Sequence, residues 1–206
     1  MINRELYMEQ ITPFIDKPFV KVITGIRRCG KSVVLRLIRE ELLRRGVSED
    51  HIIYMNFESF EWMDVKEAKA LYTYIREVTK VSGKYYILLD EIQEVTDWEK
   101  AVNAFLVDLD ADIYVTGSNS RLLSSEFSTY LAGRYVAFHI MTLSFREYLL
   151  FHNVPLAISA SDRKAEFLKY LRMGGFPAIH TANYDYNAIY KIVYDIYSCL
   201  LYTSPS

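Results

Sequence analysis

FVKVITGIRRCGKSVVLRLI, residues 19–38, decides the fold. Phe19 to Thr24 is apolar and β-branched, the composition of a buried strand. From Lys31 to Arg45 the apolar positions Val33, Val34, Leu37, Ile38 and Leu42 keep a helical period, closed by Gly46. Between strand and helix, Gly25-Ile26-Arg27-Arg28-Cys29-Gly30-Lys31-Ser32 fits the pattern G-x-x-x-x-G-K-[ST]. Its glycines let backbone N–H groups converge on phosphate oxygens, and the helix that follows aims its positive end at the same place. The expected ligand contacts are Gly25, Ile26, Arg27, Arg28, Cys29, Gly30, Lys31, Ser32 and Val33. Lys31 would reach the β- and γ-phosphates, and the Ser32 hydroxyl would ligate Mg²⁺. Cys29, inside the loop, is expected to be open to alkylation.

Outward from this stretch, strands and helices alternate. Strands are expected at 51–57 (HIIYMNF), 85–90 (YYILLD), 112–116 (DIYVT) and 135–140 (YVAFHI), and helices at 2–14, 65–81, 98–109 and 120–131. Strands separated by helices of this length mean a parallel sheet wrapped by helices, an α/β fold. After Ile140 the alternation stops. Ser144 and Glu147 form a capping box that opens a helix through Phe151, and further helices are expected at 163–173 and 187–197. The organisation read from this is a nucleotide-binding core over 1–142 and a helical lid, or the start of a C-terminal region, over 143–198.

Three more places bear on chemistry. Asp90-Glu91 closes the most apolar strand; Asp90 suits a water-mediated Mg²⁺ contact, and Glu91 is placed to polarise a water for attack on the γ-phosphate. Asn119, with Ser118 second, ends the fourth strand where a polar side chain could touch the attacking water. A helix cap is the competing reading there. Arg134 precedes the fifth strand and could stabilise phosphoryl charge in its own chain or a neighbour's, which leaves oligomerisation open; a solvated arginine is the competing reading. Arg27 and Arg28 could reach phosphates or simply face solvent.

Composition narrows the partners. Of 206 residues 51% are hydrophobic and 24% charged, with a formal net charge of -2. That is globular, and it advertises neither a nucleic-acid nor a membrane surface. Arg36, Arg39, Arg44 and Arg45 form a basic run, but Glu40 and Glu41 interrupt it, so a solvated helix face outweighs a nucleic-acid track. Cys29 and Cys199 have no metal spacing, and His51, His139, His152 and His180 have no ligand spacing. No signal peptide or membrane span is read, and the expected location is cytoplasmic.

GIRRCGKS, YYILLDEIQEV, YVTGSNSRLLS, LAGRYVAFHIMTLSFREYL and YLRMGGFPA together resemble the prokaryotic AAA-type ATPases that precede a C-terminal domain of unknown function. The resemblance runs from about Ile2 to Ser198. It implies a P-loop NTPase three-layer sandwich with a five-stranded parallel sheet of order 5-1-4-3-2. It also implies Walker A at Gly25–Ser32, Walker B at Asp90-Glu91, a sensor at Asn119 and a family-typical arginine at Arg134. ATP with Mg²⁺ is the expected cofactor pair, and an unidentified protein or a C-terminal domain absent here the expected partner. The expected activity is ATP hydrolysis. A nucleotide-occupancy module with slow or no turnover is the alternative, since the same residues serve both. Lacking a guanine-reading N-K-x-D motif, the chain favours ATP over GTP. Finally, CLLYTSPS, residues 199–206, reads as one translated frame of a sequencing-library adapter, and is expected to be a non-native tail on a chain cut short.

Overall fold

The computed structural model describes residues 4–117, 122, 131–180 and 186–203. Five strands, β1 (Val20–Gly25), β2 (Ile52–Asn56), β3 (Tyr85–Asp90), β4 (Ala111–Gly117) and β5 (Tyr135–Ile140), make one sheet of order β2-β3-β4-β1-β5. This is the expected 5-1-4-3-2 order read from the other edge. The pairs β1–β4, β3–β4 and β2–β3 are all parallel.

Register explains why the strands are apolar throughout. Met55, Leu89, Val115 and Val22 lie side by side across four strands, and all are fully buried. Because side chains alternate between faces, this row belongs to one layer. It joins Leu71 and Ile75 of α3 (Ala68–Val78) and Val102 and Phe105 of α4 (Trp98–Asp108) in one core. On the other face α2 (Lys31–Arg44) buries Val34, Leu35, Leu37, Ile38 and Leu42, and it touches β1, β3 and β4. The short α1 (Glu5–Ile11) packs against α2. A sheet covered on both faces by helices is the three-layer arrangement.

Several element starts differ from expectation, and two of them have a visible cause. The helix expected from Val65 begins at Ala68, because Glu67 is extended and bridges Thr96, and Thr96 N–H donates to the Lys66 carbonyl at 2.8 Å. A residue that pairs with a distant strand-like segment cannot also start a helix. The helix expected from Arg163 begins at Ala160, where the Ser159 hydroxyl accepts from Asp162 N–H at 3.1 Å. The helix expected over 120–131 lies outside the described residues, Leu122 and Leu131 apart.

The chain divides into two compact units. One holds Glu5–Gly25 and Lys31–His139, with the sheet and α1–α4. The other gathers Arg4, Ile26–Gly30 and the described residues from Ile140 onward. In this second unit, α5 (Phe145–Phe151) opens with the expected capping box of Ser144 and Glu147. It is followed by α6 (Ala160–Met173) and α7 (Tyr186–Thr203), which runs beyond the expected 187–197. Among the described residues no helix is long and apolar enough to cross a membrane.

Candidate nucleotide site

Parallel strands end on the same edge, so Gly25, Asn56, Asp90 and Gly117 close β1, β2, β3 and β4 side by side. That edge is where open α/β sheets receive ligands.

Lys31, the first residue of α2, is 4% exposed. Its Nζ lies 3.3 Å from the Gly25 carbonyl oxygen and 3.3 Å from Glu91 Oε1. A buried ammonium must be met by acceptors, and in this structure a carboxylate meets it. Asp90 is fully buried; Tyr54 OH donates to Oδ2 at 3.0 Å and the Thr116 hydroxyl donates to Oδ1. Burial and the charge of Asp90 push the Tyr54 phenol well above its usual range, so it stays a donor.

Glu91 adopts a left-handed backbone, φ 54° and ψ 50°. For a residue with a Cβ this conformation costs about 1–3 kcal/mol and persists only when neighbours hold it. Two do: Glu91 N–H donates to Thr116 Oγ1 at 2.9 Å, and Gln93 Nε2 donates to Glu91 Oε2 at 2.6 Å. The strand-end turn thereby lifts the carboxylate out of the sheet toward Lys31.

In the second unit, Ile26–Gly30 forms the turn of the loop. Cys29 N–H donates to the Ile26 carbonyl at 3.2 Å, Arg28 sits at φ 66° and Gly30 at φ 106°. The Cys29 carbonyl accepts from Arg4 Nη1 at 3.0 Å. Arg4 also donates from Nη2 to the Met141 carbonyl at 2.8 Å and pairs through Nε with Glu147 at 2.7 Å. Glu147 is the same residue that completes the capping box of α5. Arg4 is not among the residues expected from the sequence.

The structure thus brings Lys31, Asp90 and Glu91 together with Tyr54, Thr116 and Gln93, none of which the sequence singles out. Thr116 and Tyr54 carry a readable signal once the register is known, since each places a hydroxyl beside a strand-end aspartate. Gln93 is two residues past Glu91 in DEIQ. Cys29 is fully buried, which corrects the expectation of an alkylatable thiol. Arg27 and Arg28 are exposed. Arg134 is exposed and donates from Nη1 to Asn103 Oδ1 of α4 at 3.1 Å, a contact on the helix layer rather than on the Lys31–Glu91 pair. Asn119 and its neighbours Ser118 and Ser120 lie outside the described residues. Three arginines of the basic run are answered by carboxylates, Arg39 by Glu49 and Arg44 and Arg45 by Glu41, while Arg36 donates to the Ser32 carbonyl at 3.3 Å. Hydrogen bonds from Arg45 and Arg44 hold the Glu41 carboxyl below its usual range.

As for a metal, the donors at this edge are hard oxygens, the Ser32 hydroxyl and the Asp90 carboxylate. Among the described residues no group of three or more His, Cys, Asp or Glu could hold an ion by itself. Such a site fits an ion that brings its own water and is completed by phosphate, the habit of Mg²⁺.

A parallel sheet in this order, with a glycine loop before α2 and a buried aspartate followed by glutamate at its carboxyl edge, defines an AAA-type P-loop ATPase domain. The chain belongs to the AAA domain family, whose model matches residues 17–149. It is 45% identical over 184 residues to an uncharacterised protein of Haemophilus influenzae, covering 89% of this chain and 46% of that one. It is 35% identical over 184 residues to an uncharacterised protein of Methanocaldococcus jannaschii, covering 87% and 39%. The chain therefore spans less than half the length of these relatives. Among solved structures, a Walker-type ATPase of Pyrococcus abyssi superposes with TM-score 0.62 at 15% identity, covering 98% of this chain and 73% of that one. AMPPCP-bound DnaA of Aquifex aeolicus follows at TM-score 0.53 and 14% identity, covering 92% and 60%. These likenesses show the shared fold.

Proposed function

We propose that the protein binds ATP with Mg²⁺ at the Gly25–Val33 loop and hydrolyses the β–γ anhydride, coupling nucleotide turnover to a protein partner or to a further domain. The observation that carries this reading is the Lys31–Glu91 pair beside buried Asp90. A cation, a strand-end carboxylate and a carboxylate turned out of the sheet are the three groups that phosphoanhydride hydrolysis needs at one edge.

In this reading Lys31 exchanges Glu91 for the β- and γ-phosphates, and the freed Glu91 carboxylate accepts a proton from the attacking water. Ser32 and Asp90 would hold Mg²⁺, which supplies charge neutralisation on the phosphates. Tyr54 and Thr116 orient Asp90 by donating to both of its oxygens. Asn119 is proposed to sense the γ-phosphate. Arg134, engaged with Asn103, is proposed to act only if that contact is given up, on its own or a neighbouring chain's nucleotide. The protein is proposed to work in the cytoplasm, and the paired arginines of α2 give no support to a nucleic-acid role.

Titration with a fluorescent ATP analogue, followed by phosphate release with and without Mg²⁺, tests the reading. Lys31→Ala should abolish binding, and Glu91→Gln should bind but turn over poorly. Tight, Mg²⁺-dependent binding with no phosphate release would favour the nucleotide-occupancy module. Normal hydrolysis by Glu91→Gln would remove Glu91 from the role of base.

A further inference from the structure

We infer that Gln93 is the positioning residue of Glu91, holding its carboxylate in the attacking direction and tying that direction to the end of β4. The inference rests on the proposed role of Glu91 as base.

Among the described residues the Glu91 carboxylate has two side-chain contacts, Lys31 at Oε1 and Gln93 at Oε2. Nucleotide phosphates compete for the first, because Lys31 is the cation they need. They do not compete for the second, since a neutral amide attracts a polyanion only weakly. With ATP bound, Gln93 is then the group that still fixes where the carboxylate points.

Gln93 is itself fixed. It sits in the short 3-10 turn Ile92–Glu94, anchored by fully buried Ile92. A carboxylate only accepts, so the amide must present Nε2 to Glu91, and this turns Oε1 the other way. Oε1 is buried and lies against Gly117, the last residue of β4. A Cβ at Gly117 would overlap Gln93 Oε1 outright and meet Leu122 Cγ at 2.7 Å. The amide is therefore wedged between the base and the strand end, and among the described residues Oε1 has no hydrogen-bond partner. It is held by fit, so a shift at Gly117 moves the amide and with it the carboxylate. Asn56, beside Asp90 in the register, accepts at Oδ1 from Glu58 N–H at 3.0 Å, and among the described residues its side chain makes no bond to Glu91.

The test separates orientation from packing. Gln93→Met keeps the length and bulk of the side chain and removes the donor; Gln93→Asn keeps the amide and withdraws it by one methylene. Both are expected to lower kcat about 10- to 100-fold, the scale of a misplaced reacting group, while affinity for the fluorescent ATP analogue stays within about twofold. Gly117→Ala should give the same split by pushing the amide. Melting temperatures identify any variant that has lost its fold. Gln93→Met with kcat within about threefold of the unaltered protein would overturn the inference, because packing alone would then suffice. Failure of the unaltered protein to hydrolyse bound ATP would overturn the proposed function first, and this inference with it. Unaltered turnover in both Gln93 variants, beside normal hydrolysis by the parent, would overturn this inference alone.

Discussion

Lys31 Nζ stands 3.3 Å from Glu91 Oε1, so the cation of the glycine loop and the carboxylate after β3 neutralise each other. Lys31 is nearly buried, and the Glu91 side chain is 14% exposed, so water screens the pair only in part. In the proposed binding mode, phosphate displaces Glu91 from Lys31. Glu91→Gln removes both that competitor and a negative charge facing the incoming polyanion. We expect it to tighten ATP binding about three- to tenfold, roughly 0.7–1.4 kcal/mol. Turnover should drop about 10²- to 10⁴-fold with the proposed base gone. Equilibrium titration alongside steady-state kinetics checks both numbers; weaker binding by Glu91→Gln would show that the pair is no gate.

The parts of the fold and of the site that are legible in the sequence are those written in consecutive residues. The glycine loop, the Asp90-Glu91 step and the Ser144–Glu147 cap each occupy a few adjacent positions, and the apolar runs mark all five strands. Hidden are the contacts that depend on register. Thr116 meets Asp90 across β3 and β4, 26 residues apart in sequence, and Tyr54 meets it across β2 and β3, 36 apart. Arg4 reaches the Met141 carbonyl across 137 residues. The start of α3 is hidden for the same cause, since Glu67 answers to Thr96 and not to its own helix.

A second buried pair tests whether the opposite end of the sheet matters only for stability. Lys21 and Asp112 are ion-paired, 0% and 2% exposed, near the amino ends of β1 and β4. Asp112 Oδ2 also accepts from Tyr114 OH at 2.9 Å and from Asp16 N–H at 2.8 Å. Burial pulls the Lys21 ammonium below its usual range, and Asp112 opposes that pull. Asp112→Ala strands the ammonium in an apolar layer and should cost about 3–5 kcal/mol in urea unfolding. Replacing both residues with apolar ones should cost much less. ATP affinity of the folded fraction should not change, because Lys21 is at the other end of β1 from Gly25.

Arg4 and Glu147 hold the second unit in an equivalent way. The Arg4 guanidinium serves the Cys29 carbonyl, the Met141 carbonyl and Glu147 at once. Arg4→Met leaves two carbonyls and a nearly buried carboxylate short of a donor, and we expect a loss of about 3–5 kcal/mol. Arg4→Lys keeps the charge without the planar fork and should recover only part of it. Ser144→Ala removes one side of the capping box alone and should cost about 1 kcal/mol. Thermal unfolding, with limited proteolysis to follow the region after Ile140, ranks the three. A Ser144→Ala loss as large as that of Arg4→Met would mean that the cap dominates the ion pair.

His152 and His180 predict how this second unit responds to acid. His180 Nε2 contacts the Gly174 carbonyl at 2.8 Å, so it carries the proton and donates. Its Nδ1 must then accept from His152 Nε2, 3.0 Å away. Burial, first, and then the charge of His152 draw the His180 pKa below the ordinary 6.5; the Gly174 bond opposes them. A depressed folded value means that the unfolded chain binds the proton more readily. The stabilisation is therefore complete above about pH 6.5 and declines as pH falls through that value toward the lower folded one. Protonation also sets two N–H groups face to face across the pair. We expect the melting temperature to drop between about pH 7 and pH 5. In His180→Gln, which can donate and accept without titrating, that part of the slope should flatten. Equal slopes in the two proteins would show that carboxylates elsewhere, and not the imidazole pair, govern the acid limb.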